Sequence, residues 1–199
     1  MKKMTLAISL VIGIALLASM RWSTTATDAP ADLMPAADTT LALALSIGDM
    51  TDQADVIAIG NCVDTRSMWV DNSLVTLVTV AVGEALKGAP GETLTVVVPG
   101  GIDANRKVPV AMTYPGAPRL TPGENVFLFL NADTEVGGYN VSGFSQGKFS
   151  IVEGADGQPM VTRDLTKVSL KDNDGVRRGT ANMAPLASMK AQVKNRLPQ

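Results

Sequence analysis

Any chemistry in this 199-residue chain must proceed without histidine, and Cys62 is its only cysteine. Ser-His-Asp and Cys-His units, histidine-ligated zinc and any unperturbed side chain titrating near neutral pH are therefore excluded. A lone cysteine allows neither an intrachain disulfide nor a cysteine zinc cluster. Carboxylate pairs such as Glu84 with Glu124 are the form that acid–base work would take, and solvated charge is the plainer reading of them. Cys62 follows Gly60 and Asn61 on a predicted strand and reads as a small, partly buried hydrophobe. A reactive thiol there would need a cationic neighbour, for which Arg66 is the nearest in sequence.

Two near-motifs fail on spacing. The run GFSQGKFS from Gly143 places three residues between its glycines, and Phe149 follows Lys148. A phosphate loop needs four residues there, and Ser or Thr after the lysine. The reading is a bend between two strands that leaves Gln146 and Lys148 exposed, as structural residues or as ligand contacts. Asp172, Asn173, Asp174 and Gly175 lack the acid spacing and closing Glu of a calcium loop, so they read as a polar turn. No cofactor and no metal site is expected.

Recognition has better candidates. Residues 100–123 show no sustained apolar pattern and hold Pro109, Pro115, Pro118 and Pro122, which predicts a long loop. Loops of that length in a compact domain are functional or floppy. This one carries Asp103, Asn105, Arg106, Lys107, Tyr114 and Arg119. Trp69 falls in a turn region beside Asp71 and Asn72, where it is either an exposed binding anchor or a plug for one end of the fold.

The elements that must position these residues are mostly strands. Ser46 caps a short predicted helix through residue 54, with Asp49 completing a capping box. Strands follow at 56–63, at 75–86 with Val78, Val80 and Val82 on one face, and at 93–98. Residues 126–130 (VFLFL) are apolar on both faces and predict an interior strand covered on each side. Turn dipeptides at Gly137-Gly138 and Asp156-Gly157 divide short strands near 139–142, 148–152 and 160–162. Residues 184–197 place Leu186, Met189, Val193 and Leu197 at helical spacing, which predicts an amphipathic helix. The fold class is mainly β, a small antiparallel barrel with a helix before its first strand and another at its C-terminus; a β-sandwich is the alternative.

A resemblance rests on these same residues. The elements QADVIAIG (53–60), LVTV (77–80), EALKG (84–88), PGG (99–101), GENVFLFL (123–130) and QGKF (146–149) resemble a group of uncharacterised exported bacterial proteins over about residues 45–165. Their order resembles, more distantly, the OB-type barrel of netrin and tissue-inhibitor-of-metalloproteinase modules. That resemblance implies a binding fold and not an enzyme. The inhibitors chelate their target's zinc through an N-terminal cysteine and are held by several disulfides. Neither is present, so the zinc-blocking mechanism does not carry over.

Lys2 and Lys3 precede an uncharged apolar run, residues 4–20, and then Arg21 and a Ser/Thr/Ala/Asp/Pro stretch. The pattern reads as a secretory signal over 1–31, with an uncleaved membrane anchor as the competing reading. Export to the periplasm or medium is expected, without lipidation because no cysteine ends the signal. Residues 32–44 read as a linker, 45–165 as the barrel domain and 166–199 as a basic tail. Residues 32–162 hold 6 basic and 15 acidic groups, against 8 basic and 3 acidic in 163–199. The tail can fold onto the acidic body, touch anionic envelope material, or expose a solvated helix face. The acidic body disfavours nucleic acid.

The reading that follows is a non-enzymatic exported module that grips a protein or envelope polymer through the 100–123 loop and the Trp69 turn. The expected contact residues are Trp69, Asp103, Arg106, Lys107, Tyr114, Arg119, Gln146 and Lys148. The alternatives are an inhibitor or accessory of an exported metalloprotease and an envelope-anchored structural component. Membrane contact is expected only if the N-terminal segment is retained.

Overall fold

Strand alternation and a few caps account for most of the architecture. A computed structural model describes residues 39–198; residues 1–31, read above as a signal, and most of the expected linker lie outside the described residues. In chain order the elements are β1 (Thr40–Leu43), α1 (Ile47–Gln53), β2 (Val56–Val70), β3 (Ser73–Lys87), β4 (Thr93–Pro99), β5 (Gly101–Asp103), β6 (Val110–Met112) and β7 (Asn125–Ala132). They continue as β8 (Tyr139–Val141), β9 (Lys148–Glu153), β10 (Pro159–Asp164), β11 (Val168–Asp172), β12 (Gly175–Arg178), β13 (Ala181–Pro185) and α2 (Leu186–Arg196).

The main sheet runs β13-β10-β9-β7-β2-β3-β4-β8, and β8 pairs back onto β7. Five strands, β2, β3, β4, β8 and β7, thereby close into a ring. All neighbours in that ring are antiparallel except β4 and β8, which pair in parallel at Val96 with Tyr139 and Val97 with Asn140. The result is a small OB-like barrel, and closure removes most of the exposed strand edges. Strands β2 and β3 are each 15 residues long, with register shifts at Ile57/Ala58, Ile59/Gly60 and Cys62/Asp64. Such bulges increase local twist and let long strands coil around a narrow core. Gly60 is required at one of them, because an added Cβ would lie 2.3 Å from the Ala81 carbonyl oxygen.

Strand β7 is the wall between two cores. Val126, Leu128 and Leu130 face into the ring with Val56, Val78, Val80, Val96 and Val141. Phe127 and Phe129 face outward and pack with Phe149, Met50, Ile57, Met189 and Val193. All five residues of the VFLFL run are fully buried, as the two-faced apolar pattern predicts. The three phenylalanine rings lie 5.4–6.5 Å apart, in tilted and edge-on arrangements. Helices α1 and α2 supply the outer lid of this second core.

Helix α1 starts where the sequence places it. The Asp49 amide donates to Ser46 Oγ at 3.1 Å and the Ser46 amide donates to Asp49 Oδ2 at 2.9 Å, which closes the capping box. It precedes the first strand of the barrel. Helix α2 buries Met189 and Val193, and its basic residues meet the acidic body: Lys190 Nζ lies 2.6 Å from Glu84 Oε2, and Arg196 Nε donates to Asp52 Oδ1 at 2.8 Å. The tail is therefore docked through Met189 and Val193, with Lys190 and Arg196 paired to the body, while Arg196 itself stays exposed.

Three boundaries differ from expectation. The end of the linker is strand: Thr40–Leu43 pairs in parallel with β11, more than 120 residues later in sequence. The tail contributes β11, β12 and β13 before its helix. The long loop carries a small hairpin, β5 paired with β6. Each of these strands is short, and its register is set by a partner distant in sequence or by a brief turn, so hydrophobic periodicity gives little sign of it.

Because β7 faces two cores, truncation on either face should unfold the protein. Leu128→Ala should cost about 2–5 kcal/mol and Phe127→Ala about 3–5 kcal/mol in denaturant unfolding of the full chain. A loss below about 1 kcal/mol at either position would contradict this two-sided burial.

Candidate functional site

Seven of the eight expected contact residues separate into two groups, held at different places on the barrel, and Gln146 joins neither. The first group is organised by Asp103. Strands β2 and β3 join at a two-residue turn, Asp71-Asn72, with Asp71 in the left-handed region at φ 49°. Asp tolerates that conformation better than most residues. The hairpin of β5 and β6 lies across these strands: the Ile102 amide donates to Ser67 Oγ at 3.1 Å, Thr76 Oγ1 donates to the Gly100 carbonyl at 2.7 Å, and the Gly100 amide donates to the Leu74 carbonyl at 2.9 Å.

At its tip, the Trp69 indole Nε1 donates to Asp103 Oδ2 at 2.7 Å, and Arg106 Nε donates to the same oxygen at 3.0 Å. The Asn105 amide donates to Asp103 Oδ1 at 3.1 Å. The Arg106 guanidinium sits 4.6 Å from the Trp69 ring centroid, a cation–π contact. Hydrogen bonds from Trp69, Asn105 and Arg106 together hold the Asp103 carboxyl below the usual aspartate range. Trp69 lies on β2 and not in the turn, is half-buried and belongs to none of the three core clusters. Lys107, next in sequence to Arg106, is exposed. Ile102 and Val108, 63% and 72% exposed, give the hairpin an apolar surface in water.

The second group lies where residues 113–119 approach the bend between β8 and β9. Tyr114, Arg119 and Lys148 line a cavity of about 510 Å³, together with Ser145, Arg163 and Lys167. The loop is pressed down here. Gly116 adopts φ 72°, an added Cβ would lie 2.7 Å from the Lys167 carbonyl oxygen, and Thr40 Oγ1 donates to the Pro115 carbonyl at 2.5 Å. Lys148 is mostly buried and bonded to Glu124, and its Nζ donates to Ser150 Oγ at 2.7 Å. Burial works against the charged form of Glu124, but the hydrogen bonds from Lys148 and Ser150 outweigh it and hold the carboxyl low.

Gln146 is not exposed. The bend exists as predicted, but Gln146 is 1% exposed and turned inward. Its Nε2 donates to the Leu43 carbonyl at 2.7 Å and the Gly143 carbonyl at 3.1 Å, and its Oε1 accepts the Leu45 amide at 2.9 Å. A glutamine amide can be buried when its donor and acceptor are both matched, and here it ties the chain entering α1 to the barrel. It is out of reach of an external ligand.

Sequence reasoning missed Ser145, Arg163 and Lys167. Arg163 carried a readable signal: it stands on β10 two residues after Val161 and two before Leu165, both buried, so a charge falls on the inward parity of a strand. The guanidinium lies 4.7 Å from the Phe149 ring centroid and donates from Nη1 to the Gln146 carbonyl at 2.7 Å. Burial, and secondarily the charge of Arg177, lower its pKa.

A further cavity, about 550 Å³, opens between the β2–β3 turn and the β7–β8 loop, with Asp71, Asp133 and Glu135 on its rim. Asp133 is engaged by its own loop, accepting from the amides of Glu135 and Val136 at 2.9 and 3.0 Å. The acidic rim repels a phosphate backbone.

The remaining candidates are structural. Cys62 is fully buried in the ring core, and burial pushes its thiol up to about 11, so it is no nucleophile at neutral pH. Glu84 and Glu124 belong to separate ion pairs. Asp172–Gly175 forms the polar turn of β11 and β12, with Asp172 Oδ2 3.2 Å from Arg177 Nε. Among the described residues no group of three His, Cys, Asp or Glu is placed to hold a metal ion. Compared with known proteins, the chain matches no family model and none of the curated proteins.

The Asp103 contact has a pH signature. A carboxylate with a depressed folded pKa stabilises the fold at pH above its unfolded pKa, and that stabilisation is lost as pH falls through the folded value. In a Trp22→Phe background, Trp69 fluorescence should stay constant from neutral pH down to the ordinary aspartate range and change only below it. Asp103→Asn should abolish that transition; a transition that persists in the variant would mean another group reports on the indole.

Proposed function

We propose that the protein is an exported, non-enzymatic binding module that recognises a protein or envelope-polymer partner through the 100–123 loop and the Trp69 turn. The observation that carries the reading is the Trp69–Asp103–Arg106 contact. It fixes an exposed hairpin, bearing Ile102 and Val108, on a closed barrel before any partner arrives. Ordering done in advance lowers the entropic cost of association. Tryptophan and arginine are also the residue types that most often dominate binding energy at protein interfaces.

Two further observations support the reading. The residue inventory lacks histidine, and the one thiol is buried with a raised pKa, which leaves acid–base and nucleophilic chemistry few means. Export rests on the apolar run at 4–20 behind Lys2 and Lys3.

The test removes the hairpin tip alone. Deleting 103–118 would also take Met112, whose sulfur accepts the Leu74 amide, and buried Pro118. Replacing 104–109 with Asn-Gly keeps β5 and β6 joined by a two-residue turn. The tagged full chain should retain a partner from the envelope and secreted fractions of the producing cell, and the replacement and Trp69→Ala should each reduce capture by about tenfold or more. Equal capture by both variants would overturn the reading.

A further inference from the structure

Buried polar atoms normally find partners, and each exception calls for an explanation. Among the described residues two buried side-chain atoms have none, Ser145 Oγ and Arg163 Nε, and both residues line the same cavity. Ser145 is 7% exposed. Arg163 is held in place by the Phe149 ring and the Gln146 carbonyl, and no carboxylate among the described residues pairs with it. Three more cations line the cavity, Arg119, Lys148 and Lys167.

The charge count is informative. Lys148 is matched by Glu124, and Asp164, the one lining carboxylate, offsets a single charge among Arg119, Arg163 and Lys167. Hydrogen bonds from the Thr166 amide and hydroxyl keep Asp164 ionised by holding its pKa low. The cavity is left with an excess of two positive charges, and one guanidinium N–H and one hydroxyl of its lining residues lie buried without a partner. A phosphate monoester carries roughly −1.5 to −2 at pH 7 and presents three acceptor oxygens. Arginine and a hydroxyl suit such a group by charge and by hydrogen-bond geometry. Tyr114, Ala117 and Pro118 form a less polar wall beside the cations, and about 510 Å³ lies within the usual range for small-molecule sites.

We propose that this cavity is a binding site for a small phosphate monoester, with the Arg163 and Ser145 side chains turning from the wall to bond the phosphate oxygens, Arg119 and Lys167 supplying charge, and the Tyr114 wall taking the organic group. The site goes beyond the hairpin reading. It uses neither Trp69 nor residues 101–112, and the bend that contributes Ser145 and Lys148 lacks the spacing of a phosphate loop.

Calorimetric titration of the full chain at constant ionic strength tests it with four probes: phenyl phosphate, inorganic phosphate, sulfate and acetate. Phenyl phosphate should bind tightest. Arg163→Gln should weaken it by about tenfold or more, the loss of a charge-assisted hydrogen bond. Should Arg163→Gln fail to fold by circular dichroism, the exposed pair Arg119→Gln with Lys167→Gln gives the same readout without touching the core. Replacing 104–109 should leave phenyl phosphate affinity unchanged, so failure of this site and failure of the hairpin reading are told apart. Binding of phenyl phosphate no tighter than sulfate or acetate, or equal affinity in wild type and the double variant, would overturn the proposal.

Discussion

One strand must be apolar on both sides for the rest of the molecule to stand. Val126, Leu128 and Leu130 complete the interior of the ring, while Phe127 and Phe129 complete the core beneath the two helices. Without a disulfide, the domain depends on this shared wall for the burial that offsets chain entropy. Strand β7 also pairs with β2, β8 and β9. Closure of the ring and extension of the sheet therefore both run through the same eight residues.

The bend between β8 and β9 follows from that double duty. β8 pairs with the C-terminal half of β7 and β9 with its N-terminal half, so the chain must turn out of the ring between them. Phe144 in the left-handed region at φ 69° and the buried Gln146 amide accommodate that turn. The same geometry places Ser145 and Lys148 at the edge of the ring, opposite residues 113–119. At the other end, the overlong strands β2 and β3 provide the support on which Asp103 ties the hairpin to Trp69. One barrel thus holds two surfaces of different character, an apolar and basic hairpin and a cationic hollow.

What was legible in the sequence was what depends on local order. The VFLFL alternation, the Ser46–Asp49 capping box, the inward row of Val78, Val80 and Val82, and the Leu186–Met189–Val193 stripe are each set by neighbours a few residues apart. Trp69 and Asp103 could be picked out as candidate recognition residues by type and loop context, but their contact spans 34 residues and could not be read. The inward turn of Gln146 was hidden for the same reason, since its partners Leu43 and Leu45 are 103 and 101 residues away. β1, β12 and β13 carry small, polar or exposed residues whose extension is imposed by a distant partner. Arg163 lies between these cases: its partners are non-local, but a charge on a strand's buried parity is a local pattern that marks a position in need of a partner.

The proposed hairpin surface and the proposed phosphate site use different residues of one barrel. Two-dimensional amide NMR of the full chain, titrated with phenyl phosphate at fixed ionic strength, addresses that separation most directly. Shifts should concentrate in residues 113–119, 145–150 and 162–167, with the Trp69 indole and residues 101–112 unmoved. Shifts spread over all basic residues, the helix α2 lysines included, or none at the Ser145 and Arg163 amides, would refute it.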